Sequence, residues 1–396
     1  MLAALPLAGI RVLDCSRVYA GPIASMLLGD LGAEIWKLEP PNGDETRGWG
    51  PPYWGDPAGG RSAYFASVNR NKRSLVVNLK TDAGRSLLDR LAASCDVLLH
   101  NYQPSVATDL GLDGDRLRSA HPHLVVSTIG GFPGDGDAGE RPAYDLVAQA
   151  FSGLMSVTGD PYGGPMKVGV ALLDLNAGLQ AAIGALAGLV ARERGRDGGL
   201  HASVNLIESG VASLTNVLGH HLATGEEPRR WGTGHPDIVP YQVFAARDGH
   251  LVVAVGNDAQ FARLLRVLDL EQLDTRFASN QDRLAGRDEL VRLLAVRIGD
   301  WSRDELVAAL TEADVPAGPV NSVSEALEAM EAAHDGEWTE AHEGMRLAPA
   351  TIRIDGRRLP LRATPPRLGG DTYEILRETG LDAGEIAALR AAEVIG

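Results

Sequence analysis

The sequence predicts an α/β protein: a doubly wound larger domain built on a parallel sheet, with a smaller α+β domain. Two patterns carry this expectation. Apolar runs of strand length alternate with helical segments from the start of the chain, the βαβ rhythm that a parallel sheet covered by helices produces. Beyond Glu226 the composition turns polar and Gly- and Pro-containing before a hairpin and further helices begin, which marks a boundary. At 396 residues, with 44% hydrophobic and 22% charged, the chain is long enough for two compact domains around sizeable cores.

Each element follows from its own pattern. GIRVLDCS reads as the first strand, PIASMLLGDLG as the helix after it and EIWKLEP as the second strand. RSLVVNLK (strand), DAGRSLLDRLAASC (helix), DVLLHNY (strand), DGDRLRSAHP (short helix) and LVVSTIGGF (strand) continue the unit through short loops. From Pro142 to Gly195 the chain is helix- and alanine-rich, and GGLHASVNLIESGVASLTNVLGHHLATG then supplies a strand and one long helix. EEPRRWGTGHPD, Glu226 to Asp237, reads as a linker or loop. VPYQVFAARDGHLVVAVGN is a hairpin turning at Arg247-Asp248-Gly249, followed by helices in DAQFARLLRVLDL, RDELVRLLAVRIGD and SRDELVAALTEAD. Short strands (MRLAPATIRIDG, RRLPLRATPP) and a helical DAGEIAALRAAEVIG complete the sequence.

Charge narrows the function. Lys and Arg number 37 against 52 Asp and Glu, a formal net charge of -15, and no basic run is present. A nucleic-acid backbone or anionic membrane is repelled overall, while a few local cations can still hold a small anion. MLAALPLAGIRVLDCSR lacks the basic and apolar regions of a secretory signal, and the most apolar stretch, Val168 to Val190, is interrupted by Asp174, Asn176 and Gln180. The expectation is a cytoplasmic protein that engages neither nucleic acid nor membrane. Cys15 and Cys95, without CxxC or a Cys/His cluster, read as two buried thiols in a reducing compartment, with no metal site.

GDGDAG, Gly134 to Gly139, matches GxGxxG after a strand, but 47 glycines make about 0.7 such matches expected by chance. Asp135 and Asp137 would also repel a pyrophosphate, so a nicotinamide site is not favoured. No GxSxG elbow, Walker A, HExxH or EF-hand pattern occurs, which points to chemistry done by a carboxylate. Asp174, in KVGVALLDLNAGLQAAIGALAGLVAR, stands where a strand-like run meets a small-residue helix. There it either reaches a cleft beside free backbone N–H groups or caps the helix from Leu175 with no further role.

Six ordered blocks carry a resemblance: LAGIRVLDCSRVYAGPIASMLLGDLGAEIWKLEPPNGDETRGW, NRNKRSLVVNLKTDAGRSLLDRL, DVLLHNYQPSVATDLGLD, RPAYDLVAQAFSGLMSVTG, VGVALLDLNAG and GHPDIVPYQVFAARDGHLVVAVGN. Together they resemble the class III coenzyme A transferases, the CaiB/BaiF family, over nearly the whole chain. The resemblance implies that Asp174 is the catalytic nucleophile, attacking an acyl-CoA thioester to give an anhydride and then an aspartyl-CoA thioester. It implies CoA contacts from Arg17, Val18, Ala20, Val77, Lys80, Asn101, Tyr102, Arg141 and Tyr144, with Lys80 and Arg141 as phosphate partners. Tyr19, Arg47, Trp49, Gly232, Gly234 and His235 are implied to border the acyl pocket, the loop Trp231-Gly232-Thr233-Gly234-His235 supplying oxyanion donors.

Coenzyme A enters as acyl-CoA substrate, with a carboxylic acid acceptor and no permanently bound cofactor. The racemases of the family use a His where this chain has Tyr144, and Tyr, with a usual pKa near 10, is a poor neutral-pH acid–base group. That favours transfer over racemisation, and a CoA-binding protein without catalysis is the other alternative. Pro40 and Asp109 stand where formyl-CoA transferases carry Arg, so phosphate binding shifts to Arg17, Lys72, Arg73 or Arg141. Tyr19 replaces a glutamine and the glycine loop is short, which points away from formate and oxalate, and the block GHPDIVPYQVF with its short loop resembles the branch that uses a dicarboxylyl donor such as succinyl-CoA. The family picture makes residues 1–225, completed by 330–396, a Rossmann-like CoA-binding domain and 226–329 a small α+β domain, in an interlocked, ring-threaded homodimer.

Overall fold

The computed structural model describes residues 5–55, 61–134, 136–196, 198–334, 336 and 338–396. Its larger unit comprises Met1–Leu154, Val168–Ala223 and Glu337–Gly396, and its smaller unit Met155–Lys167 and Thr224–Gly336. Residues 155–167, expected in the larger domain, belong to the smaller unit. Hydrogen bonding explains the difference: the Arg230 guanidinium donates to the carbonyls of Ser156, Asp160 and Gly163, and Gly232 N to that of Gly159.

The first elements in chain order are β1 (Arg11–Asp14), α1 (Ala20–Asp30), β2 (Glu34–Glu39), α2 (Ala63–Ser67), β3 (Lys72–Val76), α3 (Asp82–Ala93), β4 (Val97–His100), α4 (Pro104–Asp109), α5 (Gly114–Ala120) and β5 (Val125–Gly130). They continue as α6 (Asp145–Phe151), α7 (Leu154–Val157), α8 (Leu172–Glu193), β6 (His201–Asn205), α9 (Leu206–Ser213) and α10 (Thr215–Thr224). The expected single long helix after β6 is two, because Thr215, the first residue of α10, takes φ +40.

Among the described residues the six strands run parallel in the order β3-β2-β1-β4-β5-β6. Alternate residues of the buried strands feed two cores. Leu13, Trp36, Leu75, Leu98 and Val126 pack with Leu88 and Leu91 of α3 and with Ile375, Leu376 and Ile386. Val12, Ile35, Val97 and Val125 pack with α1 and with Ala177, Ala181 and Ala185 of α8. Each fully buried Leu or Ile contributes about 1.5–3 kcal/mol, so the parallel sheet is held from both faces.

Small residues in α8 follow from its close approach to its neighbours. A Cβ on Gly178 would lie 2.6 Å from the Ala20 carbonyl oxygen, and one on Gly188 2.5 Å from Val125 Cγ1. By length and composition α8 could cross a membrane, yet 44% of its apolar window is buried inside the protein. The preceding VGVALL run, strand-like in sequence, is irregular backbone that enters α8 at Leu172.

In the smaller unit β7 (Tyr241–Ala245), β8 (His250–Ala254), α11 (Asp258–Val267), α12 (Asn280–Ala285), α13 (Arg287–Gly299), α14 (Arg303–Glu312), β9 (Ala317–Pro319) and α15 (Val323–Ala332) follow. β7, β8 and β9 form an antiparallel sheet over a core of Phe244, Leu251, Phe261, Leu264, Leu290 and Leu294. The chain ends in β10 (Glu340–His342), β11 (Met345–Leu347), β12 (Arg353–Ile354), β13 (Arg357–Arg358), α16 (Thr372–Glu378) and α17 (Ala383–Ala391). This last segment lies along the β3 edge: Asp371 N donates to Ser74 O, Asn78 N to Val394 O, and Val77 bridges Ile395.

Candidate active site

β1 and β4 are central neighbours whose chains leave in opposite directions, to β2 and to β5, and this divergence opens a crevice beyond their carboxyl ends. Asn101, just after β4, laces its walls together: Arg17 N donates to Asn101 Oδ1 at 2.9 Å and Asn101 Nδ2 to Arg17 O at 2.8 Å. Val18 beside it takes φ +69, a costly conformation for a β-branched residue. Asp44 compensates by accepting Val18 N at 3.2 and 3.4 Å, while Lys37 Nζ, fully buried, donates to Asp44 at 3.0 Å. Although burial alone would raise it, the Lys37 charge and the Thr46 bonds hold the Asp44 carboxyl at about 2.

Two cavities share Arg17, Glu45, Tyr102 and Val106. One, about 660 Å³, runs over Pro40, Gly43, Val77, Asn78 and Lys80, within the size range of small-molecule sites. The other, about 170 Å³, brings together Val18, Tyr19, Ala20, Asn101, Arg141, Tyr144 and Asp174. Arg141 is seated against the Phe132 ring, 3.9 Å from its centroid. Residues scattered over more than 150 positions thus meet at one end of the sheet.

Asp174 is the third residue of α8 and not its cap; the cap position is Ala171, which offers no side-chain bond. The plain capping reading of Asp174 is therefore corrected. The cap comes from α6: Asp145 Oδ1 accepts Leu173 N at 2.8 Å and Asp174 N at 3.3 Å. Burial, with the Asp145 charge second, pushes the Asp174 carboxyl up to about 7. Burial and then the Asp174 charge raise the Tyr64 phenol to about 12, and the same causes raise Tyr19. Tyr64 contacts Tyr19, centroids 5.5 Å apart, and Trp49, 4.9 Å apart.

Three expected cations are engaged elsewhere. Arg47 is buried over Phe65, donates to both Glu39 oxygens at 2.7 and 2.6 Å and lines neither cavity, contrary to its expected place at a pocket wall. Lys72 is fully buried, donating to Asp14 Oδ2 at 3.1 Å and to Pro22 O and Asn69 Oδ1, and burial outweighs Asp14 to bring it to about 8. Arg73 lies among Glu34, Asp371, Glu374 and Glu378. Arg17, Lys80 and Arg141 remain at the cavities. Trp49 lines neither cavity; its ring contacts Tyr64, which in turn contacts Tyr19 at the smaller one.

Gly232, Gly234 and His235 belong to the smaller unit, where Gly232 takes φ +62 and Gly234 borders a cavity with Tyr162, Trp231 and Arg287. The His235 ring contacts Tyr241, centroids 5.4 Å apart. In the glycine stretch Gly136–Ala138 is a short 3-10 turn with no helix to receive a pyrophosphate, and Asp135 lies outside the described residues. Asp145, Gln149 and Tyr64 were missed by sequence reasoning. Asp145 directly follows Tyr144 in RPAYD, but its partners lie 28 and 29 residues on, where no helical or strand spacing signals a contact.

A parallel sheet with a two-part crevice at its switch point, cations at the rim and a half-buried carboxylate at a helix start defines a doubly wound α/β protein with its candidate site at the switch point. The sequence pattern of CoA-transferase family III matches residues 7–372, and the chain belongs to that family. It is an enzyme that transfers coenzyme A. Among its relatives are the succinyl-CoA:glutarate CoA-transferase of Mus musculus, 39% identical over 98% of this chain and 90% of the relative, and the succinate–glutarate CoA-transferase of Agrobacterium fabrum, 37% identical over 94% and 95%. A CaiB/BaiF family protein from Brucella suis of known crystal structure is 36% identical, with a TM-score of 0.83 over 95% of this chain and all of that one.

Proposed function

We propose that the chain moves CoA from a dicarboxylyl-CoA, succinyl-CoA in the first instance, to a second dicarboxylic acid such as glutarate, with Asp174 as the covalent carrier. The observation that carries this reading is the Asp174 carboxylate in the crevice at the start of α8, with relatives in mouse and Agrobacterium that bear succinyl and glutarate in their names.

An ionised Asp174 oxygen adds to the thioester carbonyl, the C–S bond breaks, and CoA leaves as thiolate, giving a mixed anhydride. The thiolate then attacks the Asp174 carbonyl and expels the donor carboxylate, leaving an aspartyl-CoA thioester. The acceptor carboxylate adds to that thioester, the thiolate leaves again, and its attack on the acceptor acyl carbonyl of the new anhydride releases the new acyl-CoA and regenerates Asp174. Each step exchanges one anion for another, so no proton need be carried. A group titrating near neutrality is therefore not required at Tyr144, where racemisation would need one.

In this reading the nucleotide lies in the larger cavity along Val77 and Lys80, and the pantetheine arm passes Arg17, Val18, Ala20, Asn101, Tyr102 and Tyr144. Lys80, Arg17 and Arg141 meet the phosphates. Exposed apolar side chains on α6 and α8, Val147, Phe151, Leu179, Ile183 and Val190, support burial against a second copy of the chain; the proposal adds that this homodimer is ring-threaded and acts in the cytoplasm.

The test is intact-protein mass spectrometry after succinyl-CoA, with hydroxylamine trapping and peptide mapping, beside a glutarate-dependent transfer assay. An adduct on the Asp174 peptide, lost with activity in Asp174→Ala, is expected. Undiminished transfer by Asp174→Ala would sink the reading.

A further inference from the structure

The start of α8 is held in an unusual way. A helix N-terminus leaves its first N–H groups unpaired, and a Ser, Thr, Asp or Asn at the cap position itself is the common remedy. Here the cap is Ala171, and the acceptor is a carboxylate from another helix. Asp145 spends Oδ1 on Leu173 N and Asp174 N, and Oδ2 on Gln149 Nε2 at 2.5 Å. Gln149, wholly buried, passes the restraint on: its Oε1 accepts Val168 N at 2.8 Å and its Nε2 reaches Val170 O at 3.4 Å. One Asp–Gln pair thus fixes both the irregular run 168–171 and the first turn of α8, the two segments that aim Asp174.

We infer that Asp145 is a positioning residue for the transfer: it caps α8 through the nucleophile's own backbone N–H and places a negative charge beside the Asp174 carboxylate. This rests on Asp174 being the carrier. The physical need is specific. The positive end of a helix favours a carboxylate anion in its first turn and so makes it a weaker nucleophile. A capping anion takes up that field, whereas a capping hydroxyl does not. Asp174 must both attack a thioester and leave from an anhydride, so intermediate basicity serves both directions of a reversible exchange.

Other groups line the cleft with Asp174: Arg17, Tyr19 and Tyr102 from the loops beyond β1 and β4, Glu45, and Arg141 and Tyr144 ahead of α6, while Tyr64 of α2 contacts the Tyr19 ring and is raised by burial and then by the Asp174 charge. Phenols are ordinarily neutral below about pH 9, and Arg17 has Glu45 at 4.0 Å as its counter-charge. Arg141 is stacked on Phe132, and Asp145 alone among these is bonded to the Asp174 backbone.

The experiment measures kcat and KM of succinyl-CoA-dependent transfer from pH 5 to 9 for the wild type, Asp145→Asn and Asp174→Ala, with adduct formation followed by mass spectrometry. Asparagine keeps an oxygen for the α8 amides and removes the charge. The expected result is an acid limb with its midpoint about one unit lower, a plateau kcat about tenfold lower or more and a KM for acyl-CoA within about twofold. Asp145→Asn/Gln149→Glu, which restores the bonds to residue 145 and Val168 N with the charge moved one side chain away, recovers kcat in part. It takes over the test if the single variant does not fold. An unshifted midpoint with an inactive, adduct-free Asp174→Ala overturns the role of Asp145 and leaves the carrier standing; an active Asp174→Ala overturns the carrier itself.

Discussion

Asp174 is a residue whose folded environment opposes its charge, and the consequence is measurable apart from catalysis. Its carboxyl is raised from the usual value of 3.8 to about 7 by burial and Asp145, so the folded state holds a proton that the unfolded chain gives up. Stability from this group is fully present below pH 3.8, falls as pH rises towards 7, and is gone above that. The full linkage corresponds to about 4 kcal/mol, and partial solvation of the carboxyl reduces this to the order of 2 kcal/mol. Asp174→Asn is therefore expected to be inactive yet more stable than the wild type at pH 8, with the advantage vanishing near pH 4. Urea denaturation across that range checks it; a constant difference at every pH would mean that the carboxyl titrates normally.

Among elements, α8 shows most clearly how packing overrides local preference. Alanine is better than glycine inside a helix by about 1 kcal/mol, so propensity alone predicts that Gly178→Ala stabilises. The crossing with α1 predicts the reverse, since the new methyl would sit 2.6 Å from the Ala20 carbonyl oxygen and 3.1 Å from Ile23. Overpacking of this kind costs about 1–3 kcal/mol, and backbone cannot rotate aside as a side chain can. A net loss of about 1 kcal/mol, read as a lower thermal midpoint, is expected, with reduced activity because α8 and α1 both carry residues of the cleft. Gly219, on α10 and with nothing within 4 Å of its added Cβ, is the control, and Gly219→Ala should raise the midpoint slightly.

For the whole molecule, the proposed homodimer assigns the apolar side chains left exposed on α6 and α8 to an interface between copies. Ile183, 64% exposed, offers a probe, because a charge there costs the isolated chain little. Ile183→Asp is expected to shift the chain towards monomer in sedimentation velocity, while a wild type that sediments as a monomer would contradict the homodimer. The sequence by itself determined the alternation of strands and helices in the larger unit, the parallel sheet, the hairpin of the smaller one and the resemblance that picked out Asp174. These are legible because side-chain periodicity and ordered local motifs are properties of neighbouring residues. Only the tertiary structure decided that Ala171 and not Asp174 is the cap position of α8, that Arg47, Lys72 and Arg73 are engaged by carboxylates, and that Asp145, Gln149 and Tyr64 gather near Asp174. Charge pairing, burial and capping across elements depend on which distant residues the fold brings within about 3 Å, and no spacing along the chain encodes that distance.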